Sequence, residues 1–544
     1  MMLSWVLASI SSAFERYPLE NITLLILAII WFGLTAISTQ RSSNSKNSFP
    51  LSLPLSWVKT RVNAWLFLIR GPEIIQDAYD RSNGKPFFVD APDNRYLIVS
   101  SFSQIKEIDA APDGVLSLLA AAKEVLQPRH TMVDFMWPDK KGTEGAPLLK
   151  TLRTLLTGHL PTFLPEMRCS MSTLFDELYE SRPTTINGGK ISPAYPMVIR
   201  AIAQSNAYAL FGQELCGDKK FMKAAMVFVE ETLIIAEVIR LLPRVISERI
   251  GEFLAKKLNS GRVVYDALEP VVSKRFAERE QQRLGFDVPE HKDCIQWIME
   301  TSPKTKPWSV KRVIHELIAV WFGSVHITST TACFALYDLC LHPEYVEPLR
   351  QEIERTTWEA FDETGGKLFP LMDSFMKESA RATPVEAVST RRKATKPFQL
   401  SDGTRVEQGQ WVCTAARGLN LDPANYAQAN EFRGFRFVEP RVLEQFFSES
   451  SRALESDSFQ IPEPGKVSQF IELSDTQLWG TGKSACTGRW YASAAIKTML
   501  GLFITKWDLK LVDPKASRHF SWRTFIYPYA STEIVLTPRT VNVA

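Results

Sequence analysis

Residues 479–489 read Trp479-Gly480-Thr481-Gly482-Lys483-Ser484-Ala485-Cys486-Thr487-Gly488-Arg489, and the fold turns on how this string is taken. Its Gly-Lys-Ser core invites a phosphate loop. That motif needs a further glycine five residues before the glycine of Gly-Lys-Ser, so that backbone N–H groups can wrap a phosphate. Gln477 stands at that place, with no hydrophobic strand ahead of it, and nucleotide binding falls away. Around the cysteine the string is coherent. Glycines let the backbone approach a ligand and present N–H groups to a sulfur, which tunes the basicity of a thiolate. The following WYASAAIKTMLGLFITKW carries apolar residues at helical spacing, so Cys486 stands just before a helix N-terminus, where the dipole favours its anionic form. Trp479, seven residues earlier, is placed to shield the sulfur or hydrogen-bond to it. A thiolate brought up to a metal accounts for this pattern better than a buried structural cysteine beside a turn.

Outward from the loop, the composition is that of an ordinary globular protein, 45% hydrophobic and 23% charged, which excludes disorder for most of its 544 residues. A formal charge of +3 gives no reason to expect nucleic acid as a partner. Seven cysteines without a C-x-x-C pair exclude a disulfide scaffold and a zinc ribbon. Length alone predicts about three domains. From Pro161 to Arg381 helical patterns dominate, one of them interrupted at Pro243. Shorter segments read as strands: PFFV and YLIVS early, then KPFQL, GTRV and QWVCTA after residue 395. The expected fold class is mainly α with small β-sheets. At the other end, Ile22 to Ile37 carry no charge, and the uncharged span reaches Gln40. About 20 such residues cross a 30 Å hydrocarbon layer as a helix. The division expected is a lumenal stretch 1–20, a transmembrane anchor 21–40, a Pro/Ser-rich linker 41–55 and a catalytic domain 56–544. Basic residues Arg41, Lys46, Lys59 and Arg61 after the span put that domain on the cytosolic side.

At this point the sequence resembles the cytochrome P450 family of haem-thiolate monooxygenases, whose cysteine loop reads F-x-x-G-x-R-x-C-x-G. Trp479 stands for the Phe, Gly482 and Cys486 match, and Ser484 stands where the family has a basic residue, with Lys483 one position earlier. A second family element is Glu-x-x-Arg on a helix, here Glu378 and Arg381. The pattern alone is uninformative, since Glu237–Arg240, Glu280–Arg283 and Glu449–Arg452 share it. Context singles out Glu378: Pro384 and strand-like sequence follow, and Cys486 comes 108 residues later. Between them Phe432-Arg433-Gly434-Phe435-Arg436-Phe437 is similar to the family's F-x-P-x-R-F, making Arg436 the third member of a buried Glu-Arg-Arg cluster that supports the haem site. Arg391 matches a position that pairs with a haem propionate, and Arg153 stands for the arginine of W-x-x-x-R on an earlier haem-contacting helix.

The oxygen-handling helix departs most. Where the family has A-G-x-[D/E]-T-T, this chain has Gly323-Ser324-Val325-His326-Ile327-Thr328, so His326 replaces the acid and only Thr328 remains as alcohol. This form resembles fungal secondary-metabolism members. The resemblance implies one large domain rather than three, haem b with an axial thiolate from Cys486, and dioxygen-dependent hydroxylation of a small hydrophobic substrate with His326 and Thr328 as catalytic residues. Electrons would come from NADPH through a separate NADPH-cytochrome P450 reductase, with cytochrome b5 as a second donor, at the endoplasmic reticulum membrane. Lys483, Arg489 and Lys497 are candidates for docking that partner. The pocket candidates Val320, Trp321, Val325, Ile327, Val385 to Val388 and Phe525 to Tyr527 are mostly apolar, and a terpenoid or indole-diterpene-type substrate is expected. Two other readings stay open: a haem-thiolate isomerase or dehydratase acting on a peroxide, which Ile327 supports, and a non-catalytic haem- or lipid-binding membrane protein.

Overall fold

The computed structural model describes residues 55–137, 147–185, 188–304, 306–448 and 463–539. The expected lumenal stretch 1–20, the anchor 21–40 and the linker up to Pro54 lie outside them. The helices that position the site are α1 (Phe102–Ala110), α2 (Leu160–Glu180), α3 (Ala194–Cys216), α4 (Lys219–Leu241), α5 (Ser260–Arg283), α6 (Val310–Leu341), α7 (Pro370–Ala382) and α8 (Arg489–Lys506). Local chemistry sets their ends. The Asp218 carboxylate caps α4 by accepting from the Lys220 and Phe221 N–H groups at 2.8 and 3.1 Å, and α4 stops just short of Pro243. Ser309 Oγ caps α6 in the same way, accepting from Arg312 N–H. α7 opens on Pro370, whose missing N–H costs nothing in a first turn.

Of the helices among the described residues, α6 is long and apolar enough to cross a membrane. It is instead the central core helix, packed by α3, α5, α7 and α8. One hydrophobic cluster runs through α2, α3, α4, α6, α7 and α8 without a break. The three domains expected from length are therefore one. An unbroken core of this kind leaves no surface along which the chain could part.

The strands form small sheets at the edge of the helical mass. β1 (Phe87–Asp90), β2 (Arg95–Val99), β3 (Leu116–Ser117), β5 (Ser389–Ala394) and β8 (Trp411–Thr414) make one sheet in the order β1-β2-β8-β5-β3. Its β2–β8 pair is parallel, with Tyr96 opposite Trp411. Tyr96, Ile98, Trp411 and Cys413 face one cluster, while Leu97, Val99 and Val412 face another. That is the period-2 signature of a strand buried on both faces. β4 (Lys190–Pro193), β9 (Trp507–Leu511) and β12 (Glu533–Pro538) form a second sheet. Two hairpins complete the set, β6 (Phe398–Gln399) with β7 (Arg405–Val406), and β10 (His519–Trp522) with β11 (Phe525–Pro528). All five strands expected from sequence are present. The C-terminal strands were not expected.

Candidate active site

The cysteine loop is a tight turn fixed on both sides. Cys486 N–H donates to the Trp479 carbonyl at 2.7 Å, and Arg489 Nη1 donates to the Cys486 carbonyl at 2.8 Å. Trp479 is itself tied, its indole N–H donating to the Phe470 carbonyl at 2.6 Å. On the opposite side Thr481 Oγ1 donates to Asp109 on α1 at 2.8 Å and meets Thr390 of β5 at 2.7 Å. The loop then enters α8, with Gly488 at the N-cap. Burial pushes the Cys486 thiol up, opposed by the Gly488 N–H and the Arg489 charge. Cys486 is nevertheless an exposed side chain although protein encloses it. Its sulfur therefore faces an internal chamber.

Gly482 shows what the turn demands. Its φ is +55°, and a Cβ there would lie 2.7 Å from Asp109 Cγ. Gly482→Ala is expected to cost about 1–2 kcal/mol from the left-handed backbone alone, and to push the loop off α1. Cofactor content after purification, compared with the parent protein, checks this.

α6, which packs against α8, also opens within the core. In the middle of this core helix Ile327 is 49% exposed, and Gly323, one turn earlier, is exposed as well. Thr331, one turn later, donates its hydroxyl to the Ile327 carbonyl at 3.0 Å. These residues define an open stripe. His326 and Thr328 flank it on opposite sides, because residues two apart on a helix point about 200° away from each other. The two expected catalytic side chains are thus not brought together. His326 Nδ1 lies 3.1 Å from the Tyr195 hydroxyl of α3, and burial pushes its imidazole down to about 4, so it is neutral at physiological pH. Of the expected pocket residues, Val320, Ile327, Val385, Phe525 and Tyr527 keep some exposure. Trp321, Val325, Val388 and Ile526 are buried in packed core instead. The lining is also less uniformly apolar than expected, since Glu386 pairs with Arg391 and accepts from Thr524 Oγ1 at 2.7 Å.

Glu378, Arg381 and Arg436 form one ion cluster, each side chain fully buried. Glu378 accepts from Arg381 Nε and Nη2 at 2.7 and 2.8 Å, from Arg436 Nε at 3.1 Å and from the Arg433 N–H at 2.9 Å. The remaining guanidinium N–H groups go to the carbonyls of Asn420, Ala427 and Ala429 and to Glu463. The competing motifs differ. Glu280–Arg283 is an exposed surface pair, Glu237 pairs chiefly with Arg523, and Glu449–Arg452 lies outside the described residues.

The family model described as Cytochrome P450 matches residues 143–529. The chain belongs to the cytochrome P450 family. Its curated relatives include cytochrome P450 monooxygenase 71 of Postia placenta, 25% identical over 94% of this chain and 98% of that one. Cytochrome P450 monooxygenase janP of Penicillium janthinellum is 24% identical over 85% of this chain and 84% of its own length. Cytochrome P450 monooxygenase ptmQ of Penicillium ochrochloron is 25% identical over 90% of each chain. Among solved structures, retinoic-acid-bound cyanobacterial CYP120A1 superposes with a TM-score of 0.61 at 14% identity, over 87% of this chain and 97% of the other. That likeness shows the fold.

The family holds haem through a cysteine thiolate and takes its electrons from NADPH by way of a reductase. The chamber of this cytochrome P450 fits that group. It has an accessible thiol at a helix N-terminus, and α6, packed against that helix, carries an open stripe. Two cationic side chains are candidates to meet the haem propionates. Arg391, on β5, pairs with Glu386 and donates to Thr524 at 3.1 Å, while its buried Nε has no acceptor. Arg153, in the π-type turn Thr151–Leu156, is exposed and close enough to Arg489 for the two charges to repel.

The basic residues assigned to partner docking sort differently. Lys497 is buried against Asp373, Arg489 holds the cysteine loop, and Lys483 reaches outward to the Ala111 carbonyl and Asp113. Lys483 is thus held by the segment that follows α1, and Lys497 is a core residue. Two residues that sequence reasoning missed stand at the site: Tyr195, 131 positions from the histidine it meets, and Thr331, the alcohol beside Ile327.

Proposed function

We propose that this cytochrome P450 is a membrane-anchored monooxygenase that hydroxylates a hydrophobic, terpenoid-type substrate in fungal secondary metabolism, with Cys486 as the axial ligand. The observation that carries this reading is the accessible Cys486 thiol, enclosed by protein, beside a core helix, α6, that carries an exposed stripe at Ile327. Haem bound there supplies the cleavage of dioxygen and the insertion of one oxygen atom into a C–H bond. The chain's own residues do the rest. The loop holds the thiolate and offers it the Gly488 N–H, while Arg153 and Arg391 supply positive charge for the propionates. Ile327 and Val320 present an apolar ceiling that excludes water and favours a greasy substrate. His326, neutral on one flank of that ceiling, handles protons beside the reacting centre, with Thr328 on the other flank.

Electrons come from NADPH-cytochrome P450 reductase, with cytochrome b5 as a second donor. The anchor 21–40 places the protein in the endoplasmic reticulum membrane with its domain in the cytosol. The exposed Val245, Ile246 and Phe253 of the helix Arg244–Lys257 support a face resting on lipid.

The test is a spectral titration of the ferric protein in detergent with polycyclic terpenoids, fatty acids, fatty-acid peroxides and small aromatics, followed by assays with reductase. A ligand that displaces iron-bound water shifts the spin state. Terpenoids are expected to give a saturable shift and an oxygenated, NADPH-dependent product. A response only to fatty acids or their peroxides, with turnover that needs no NADPH, would overturn the reading in favour of an isomerase.

A further inference from the structure

His326 is a hydrogen-bonded residue of unusual company, and its partner comes from a different helix. Tyr195 sits in the first turn of α3, where the backbone is fixed. Pro193 and Pro196 bracket it, and the Ala194 N–H donates to the Thr532 carbonyl at 3.0 Å, continuing the β4–β12 ladder. From this anchored position the phenol reaches α6 and meets His326 Nδ1 at 3.1 Å. Thr330, one turn after His326, brings a buried Oγ1 near the same phenol, without a hydrogen-bond partner of its own.

The proton arrangement follows from what each group can do. A neutral imidazole has one donor and one acceptor nitrogen. Burial pushes the Tyr195 phenol up, so it keeps its proton, and burial holds His326 neutral. A phenol O–H is a stronger donor than an imidazole N–H, and an imidazole nitrogen a stronger acceptor than a phenol oxygen. The phenol proton is therefore donated to Nδ1, across the 3.1 Å contact. The titratable groups that reach the pair are Glu230 from α4, Cys333 on α6 and Tyr527 from β11. None of them lies within hydrogen-bonding reach of the imidazole.

We infer that Tyr195 is a positioning residue that locks His326 as its Nε2–H tautomer, leaving a single N–H donor on a half-buried side chain at the edge of the chamber. The inference rests on the haem-thiolate reading for its consequence, but the tautomer is a property of the protein itself. A histidine so fixed presents a hydrogen bond from one defined atom, its Nε2–H. Orientation of a functional histidine by such an outer partner is worth roughly 10–100-fold where it has been removed in other sites.

The experiment uses the full-length, haem-loaded protein with ¹⁵N-labelled histidine, in the diamagnetic ferrous carbon-monoxide form. The chain has seven histidines, so a His326→Gln protein assigns the signal by difference. In the parent protein His326 is expected to show a protonated Nε2 and a bare Nδ1 across the range from pH 6 to pH 8. In Tyr195→Phe the two nitrogens are expected to average as tautomers mix, and product formed per NADPH consumed is expected to fall roughly 10-fold. The thiolate-type absorption band should be unchanged. A bare Nε2 in the parent, or a Tyr195→Phe spectrum identical to the parent's, overturns the inference while leaving the proposed function standing. Absence of the thiolate band from the parent itself would instead overturn the proposed function.

Discussion

Replacing Cys486 by serine is expected to abolish turnover and the thiolate-type band of the reduced carbon-monoxide form, while the protein keeps its fold. The side chain changes by one atom, and the backbone bonds that hold the loop do not involve sulfur: Cys486 N–H to Trp479, and Arg489 to the Cys486 carbonyl. What is lost is the electron-rich ligand that promotes O–O cleavage. The other cysteines supply the control. Cys294 and Cys333 are buried with their thiols pushed up, and Cys413 is pushed up to about 11, each inert in packed core. Cys169 is exposed on the outer side of α2. Cys413→Ala should leave the band intact and cost only core packing, on the order of 1 kcal/mol. Absorption spectra of the two variants, with circular dichroism to confirm folding, decide the matter. A serine variant that retained the band would remove Cys486 from the site.

How much of this was legible in the sequence depends on whether the deciding relation was local. The cysteine loop was readable because its glycines, its aromatic and its thiol lie within eleven residues. The break at Pro243 and the five apolar strands were readable for the same reason. β9 was missed because α8 passes into it at Lys506–Trp507 with no glycine or proline between, and only the alternating burial of Trp507–Leu511 betrays a strand. Lys497 was misread as a surface charge because α8 is buried on nearly every side, so a lysine in its middle must enter the core with a carboxylate to meet it. His326 and Thr328 looked like neighbours in the string, but helix geometry sends neighbours at this spacing to opposite flanks. Tyr195 belongs to no motif and is brought to His326 only by the packing of α3 along α6. Glu378 was separable from look-alikes such as Glu237, Glu280 and Glu449 by context, and its burial supplies the physical distinction that spacing could not.

That distinction yields the second large effect. Glu378→Ala is expected to destabilise the protein by about 3–5 kcal/mol, because it strands the Arg381 and Arg436 guanidiniums in a fully buried site without their shared carboxylate. Set against a total stability of about 5–15 kcal/mol, this leaves a protein close to unfolding. Glu280→Ala breaks a pair of the same spacing, but an exposed one, and should cost no more than about 1 kcal/mol. The damage should also reach the thiolate. α7, which carries Glu378, grips the approach to the cysteine loop: Asp373 accepts from the Phe470 N–H at 2.5 Å, and Lys377 Nζ donates to Ser468 Oγ and the Gln469 carbonyl at 2.7 and 3.1 Å. Phe470 in turn accepts from Trp479, whose carbonyl fixes Cys486. A loosened α7 therefore loosens the loop through three consecutive bonds. Denaturant unfolding of both variants, followed in parallel by circular dichroism and by the haem band, measures the two consequences separately. In Glu378→Ala the haem signal is expected to be lost at lower denaturant than the helical signal, and in Glu280→Ala the two should coincide with the parent. Equal midpoints for the two variants would mean that burial of the Glu378 cluster confers no special role, and that the loop is held by its own bonds alone.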